Sequence, residues 1–146
     1  MTTAFRAIAV ALAASLTAAL AGVPVFQNRL KPLPEDQAQA VVVRTERTTG
    51  QEIVLGMTDW QTEYTVECYG RGMTSADPSA AVDDLVQAVW IRLSTVDLSA
   101  FQVMNVTLNA NINWDYGEAE TPFACAVLAL QIVHRTPATS LDRQEF

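Results

Sequence analysis

Hydrophobic and polar residues alternate most plainly in two stretches of the chain. From Asp59 to Tyr69, Trp60, Thr62, Tyr64, Val66 and Cys68 share one side, and Gln61, Glu63, Thr65 and Glu67 the other. A period of two is the signature of a strand with one buried and one wetted face. The aromatic and β-branched residues suit that pleated surface, and Gly70, Arg71 and Gly72 end it. From Val103 to Trp114 the same period predicts a second strand. Met104, Val106, Leu108, Ala110, Ile112 and Trp114 face inward there, and Asn105, Thr107, Asn109, Asn111 and Asn113 outward. That outward face is polar but uncharged, as suits either a sheet surface covered by a neighbouring subunit or one left in water.

Other segments follow different periods. Phe5, Ile8, Leu12, Leu16 and Leu20 step by three or four and predict an amphipathic helix over residues 2–21. Thr2 or Thr3 serves as its cap, and Gly22 followed by Pro24 ends it. The same residues also fit a secretory leader, with Arg6 as the charged region and Ala19-Leu20-Ala21 as a small-residue cleavage site. The helical stripe is the preferred reading; a transmembrane helix is disfavoured by the short, alanine-rich stretch. A second helix starts at Asp77-Pro78 and runs to about Ser94, with Val82, Leu85, Val89 and Leu93 as its apolar stripe and Trp90 flanking the core. Ala124 to Leu130 is apolar on both faces, the mark of a central strand.

Between the first helix and the Asp59 strand lie a short strand at Val23–Phe26, a proline-bearing crossing at Gln27–Gln39, and an apolar strand at Ala40–Thr45. A turn at Thr49-Gly50 and a bulge or kink at Gly56 interrupt the polar continuation. Ala40 to Tyr69 therefore reads as a long β-hairpin whose tip, around Arg47 to Leu55, projects beyond the core. Ile53, Val54 and Leu55 either expose a contact surface there or continue the buried strand. The expected architecture is α+β: one domain over residues 1–146, with a mixed, mostly antiparallel sheet of four to five strands packed with two helices. A projecting hairpin and a C-terminal tail over residues 135–146 complete it.

Composition narrows the function. The net charge is −7 and no basic run occurs, which argues against binding nucleic acid through its phosphates. Charged residues are only 17% of the chain, so much of the surface is weakly charged or covered by partners. The single histidine, His134, and the two cysteines, Cys68 and Cys125, read as structural residues, with no Cys/His company for zinc. Asp83-Asp84 diverge on a helix, and Glu118 with Glu120 lack a third ligand. No phosphate loop, nucleophile elbow or paired-histidine motif appears. No catalytic residue, cofactor or metal is expected.

The run from Val23 to Gly72 resembles the tail terminator proteins of long-tailed bacteriophages, the family of the lambda minor tail protein U. The likeness lies in the order of elements: an N-terminal helix, Val25-Phe26, the apolar strand Ala40–Val43, a polar hairpin arm, Asp59-Trp60-Gln61 opening a long alternating strand, then a helix and two final strands. It departs in the alanine-rich first helix and beyond Arg135. The resemblance implies a virion protein assembled in the host cytoplasm as a homo-hexameric ring. Such a ring caps the head-proximal end of the tail tube, contacts the tail tube protein, and offers a docking surface to neck or head-completion proteins. DNA passes its acidic lumen without specific binding, and no membrane is involved. The arm residues Arg47, Glu52, Ile53, Val54, Leu55, Met57 and Asp59 are its expected interface. The alternatives are another tail or neck component, such as a tube protein or head–tail connector, an exported binding protein lacking residues 1–21, and, third, a small enzyme.

Overall fold

A computed structural model of the chain describes residues 3–27, 38–54, 56–71, 78–101, 103–117 and 123–141. In order come α1 (Ala4–Ala19), β1 (Val25–Gln27), β2 (Gln39–Val54), β3 (Met57–Arg71), α2 (Pro78–Ser94), a 3₁₀ turn (Ser99–Phe101), β4 (Val103–Leu108), β5 (Asn113–Gly117) and β6 (Phe123–Pro137). The fold is α+β, with one strand more than the four to five expected. The sheet runs β1-β2-β3-β6-β4, with β5 also beside β6. Only β1–β2 is parallel.

Both helices cover one face. Ile8, Leu12 and Leu16 of α1 and Val82, Leu85, Val89 and Leu93 of α2 meet Val41, Val43, Tyr64, Val66, Cys68, Leu128, Leu130 and Ile132 in one core. Each large aliphatic side chain so buried contributes about 1.5–3 kcal/mol. The expected stripe of α1 is thus the packed one, and Val10, off the stripe, is exposed. The Thr3 hydroxyl accepts from the Arg6 amide at 3.3 Å, and Gly22 takes a positive φ of 76° where the chain leaves α1. The Arg92 guanidinium ties the helices together, donating to Ser15 Oγ at 2.8 Å and to its carbonyl at 3.1 Å. Trp90 is half-buried at the rim of the core, as expected.

Three expectations are corrected. The stretch 103–114 is not one strand. Asn109 bends the chain, its side-chain oxygen accepting from the Asn111 amide at 2.9 Å, so β4 and β5 lie one after the other along β6. Short amide side chains compete in this way with the ladder. Met104 falls where the register shifts between Val103 and Asn105 and is half exposed; Trp114, beyond the break, is exposed as well. Second, the chain does not turn at Thr49-Gly50. Strand β2 continues to Val54, and the reversal comes at Gly56, whose φ of +81° suits glycine. Third, Arg135 to Pro137 belong to β6, so the tail begins at Ala138.

Candidate assembly surface

The hairpin ladder is long, running from Gln39–Gly70 out to Val54–Met57 with register shifts between Thr45 and Arg47 and between Gln51 and Val54. Its inner half is core: Ala40, Val41, Val42 and Val43 are buried. From Thr45 to Glu52 every residue of β2 is exposed, although the backbone stays in strand. A change of this kind within one strand marks the point where the helices stop covering it. The arm is more than a two-stranded projection, because β6 flanks β3 as far as the Met57–Pro137 pair. A third strand stiffens it, since an isolated two-stranded hairpin is marginal in water.

The expected interface residues fall into distinct settings. Arg47 and Glu52 are exposed on β2. Ile53 and Val54 end that strand, but their side chains, and Leu55 as a whole, lie outside the described residues. Met57 is half-buried opposite Val54 and Pro137. Asp59 is held within the chain: Arg135 donates to its two oxygens at 2.6 and 3.1 Å. Those bonds hold the carboxyl below its usual range. The structure thus groups Arg47, Glu52, Met57 and Asp59 along one arm, with Asp59 already paired.

An unexpected set of contacts anchors the base of the arm. The Trp60 indole donates to Thr136 Oγ1 at 2.9 Å, and the Phe5 ring of α1 meets Trp60 edge-on at 5.3 Å. Phe5 also packs edge-on against the fully buried His134, 5.1 Å away, while His134 Nε2 lies 3.3 Å from Thr62 Oγ1. His134 Nδ1 has no hydrogen-bond partner among the described residues, and burial lowers the imidazole pKa to about 4. Tyr64 reaches across the same seam to donate to the Phe5 carbonyl at 2.8 Å. Past the arm, the Ala138 amide bonds the Gly56 carbonyl at 2.8 Å, and the Ala4 amide bonds the Leu141 carbonyl at 2.7 Å. The chain after β6 therefore clips the hairpin turn to the start of α1. Sequence alone pairs none of these residues, because their partners lie 55 or more positions apart.

The sheet's second face carries no described helix. At one end Phe26, Ala40, Val42, Tyr69, Cys125 and Val127 form a small apolar cluster. Beyond it the face is polar. Arg44 pairs with Glu67 at 2.9 Å, Tyr69 donates to Glu67, and Gln61 donates to Gln131. Where the chain leaves the ladder at Asn109, a shallow hollow of about 530 Å³ opens beside Glu63, Thr65, Asn111 and Asn113. It offers three amides and one hydroxyl around one carboxylate.

Chemistry finds few footholds among the described residues. They contain no group of three or more His, Cys, Asp or Glu side chains able to hold a metal. Cys68 and Cys125 are buried and free. The pairings Cys68–Ala126 and Tyr69–Cys125 place them on opposite faces of the sheet. Burial pushes both thiols up, Cys125 to about 11. No described helix is long and apolar enough to cross a membrane. Comparison with known protein families and with curated proteins finds no match for this chain.

Proposed function

We propose that the chain is a structural subunit of a long phage tail, a terminator that closes the head-proximal end of the tube as a homo-hexameric ring. The exposed run of β2 from Thr45 to Glu52 carries the reading. A strand that stays in the sheet yet is uncovered along its outer half reads as a contact surface rather than core. The order of elements, resembling the tail terminators, supplies the rest. In this role the arm, ending in Ile53-Val54-Leu55, meets a neighbouring subunit or the tube protein, and the opposite surface receives a neck or head-completion protein. Six chains of net charge −7 surround a lumen that DNA slides through unbound. Removing residues 1–21, as export would require, strips the buried side chains of α1 from the core, which weighs against an exported binding protein.

The test is light scattering of the purified protein across a concentration series, with negative-stain microscopy of the same peak. Closed six-membered rings are expected. Changing Ile53, Val54 and Leu55 together to serine should leave a folded monomer. Rings that persist in that variant sink the role of the arm, and filaments from the native chain point instead to a tube protein.

A further inference from the structure

Strands β2, β3, β6 and β4 line up in level rows across the middle of the sheet. Arg47, Glu63, Gln131 and Thr107 form one row; Thr48, Thr62, Ile132 and Val106 the next; then Thr49, Gln61, Val133 and Asn105; and lastly Gly50, Trp60, His134 and Val103. Over these rows β2 is one edge of the sheet and β4 the other. Strand β1 covers β2 only at Val41–Val43, and β5 occupies a separate length of β6. Among the described residues no strand lies outside either edge at this level.

From the two edges we infer that β2 of one copy pairs antiparallel with β4 of the next, extending one sheet from subunit to subunit. Direction permits it. Successive strands β2, β3, β6 and β4 alternate, so β2 and β4 run opposite ways. A second copy set beside the first in the same orientation therefore continues the antiparallel order. Chemistry permits it too. Protected edges carry charged side chains, lysine above all, proline or β-bulges. These rows contain no proline or lysine on either edge strand and one charge, Arg47; one register shift falls before the first row, by Glu46, and the other between the last two, by Met104. The side chains that would meet are compatible. On the open face Asn105 and Thr107 come beside Thr49 and Arg47, and on the helix face Val106 comes beside Thr48. The two edges differ, so the contact is heterologous and continues until a rotation closes it. This deepens the proposed ring, and only its closure rests on that reading.

Side chains opposite one another on adjacent antiparallel strands lie about 4.5–5.5 Å apart, so like charges there repel. The test replaces Asn105 and Thr107 of β4 with lysine, position 107 directly opposite Arg47 of the next copy and position 105 diagonal to it. This variant should keep the native far-ultraviolet spectrum and melting temperature but scatter light as a 15.9 kDa monomer. Adding Arg47→Glu and Thr49→Glu to the same chain should restore native assembly, with a mass that falls again in high salt. Assembly of the two-lysine variant at native strength, or failure of the four-site variant to reassemble, overturns the inference. So does a native chain that stays monomeric at every concentration. Capping of tail tubes by such a monomer would preserve the proposed function, whereas edge pairing that builds filaments would remove the terminator reading and leave the edges standing.

Discussion

Gly50 stands directly across from Trp60, and that pair gives the sharpest energetic test of the arm. A Cβ added at Gly50 would lie 2.6 Å from Trp60 Cε3 and 2.9 Å from Cη2, and would also collide with Cζ3. The ring has little room to retreat. Its indole nitrogen is bonded to Thr136, which is fully buried, and Phe5 stands edge-on against it. Releasing the bond costs about 1 kcal/mol, and losing the aromatic contact about 0.5–1.5 kcal/mol. Gly50→Ala should therefore destabilise the protein by about 2 kcal/mol, within the usual range for overpacking. The sign is informative. Gly50 is not among the positive-φ glycines, so in open space alanine there would stabilise by about 0.4–1 kcal/mol through the unfolded chain. Urea denaturation followed by circular dichroism gives the difference, and a double-mutant cycle with Trp60→Leu assigns it to the pair. A coupling near zero, or a stabilised Gly50→Ala protein, would refute the account.

Three other outcomes are expected. His134 takes up a proton near pH 6.5 when unfolded but only near pH 4 when folded, so the unfolded state binds more protons between those values. Stability is then intact above about pH 6.5 and falls as pH drops toward 4, by about 3 kcal/mol; denaturant titrations of His134→Gln should lack that component. Asp59, whose carboxyl is depressed, loses its contribution only below its ordinary range, so the two windows separate. Leu12→Ala or Leu16→Ala should cost about 2–5 kcal/mol, measured by the same denaturation, because both side chains are fully buried under the sheet. Cys68 and Cys125 should resist a thiol reagent until denaturant unfolds the chain, and oxidant should not join them; rapid labelling of native protein would contradict their burial.

The amphipathic periods made much of this fold readable. The stripe Ile8-Leu12-Leu16, the second stripe Val82-Leu85-Val89-Leu93 and the alternation of β3 each report a face pressed on a core, a local consequence of one-sided burial. The errors came where local and distant demands diverge. The alternation from Met104 to Trp114 is real, but Asn109 uses its own amide to leave the ladder, which periodicity does not register. At Thr49-Gly50 the sequence carries turn residues, yet Gly50 is small because Trp60 lies over it, and the turn falls at Gly56. The arm's exposed polar run was legible as an expectation. The seam of Phe5, Trp60, Thr62, His134 and Thr136 was not, because its members are brought together only by strand register and the docking of α1.

The position of β6 bears on how the molecule comes into being. It is the last of the described strands yet lies in the interior of the sheet, between β3 on one side and β4 and β5 on the other. During synthesis, neither side of that gap can close until residues 123–137 clear the ribosome. Before then β3 presents an unpaired edge, with the apolar faces of both helices lacking half their partner surface. Loop-closure entropy must be met before these distant contacts give anything back, so folding should be slow for a chain of this size and must wait for β6. A nascent chain stalled before Phe123 would be a client for chaperones rather than a folded intermediate. The same order delays any edge-to-edge contact between copies. The β4 edge exists only once β6 has been laid beside it, so a subunit becomes competent to join others only after residues 123–137 are made and in place.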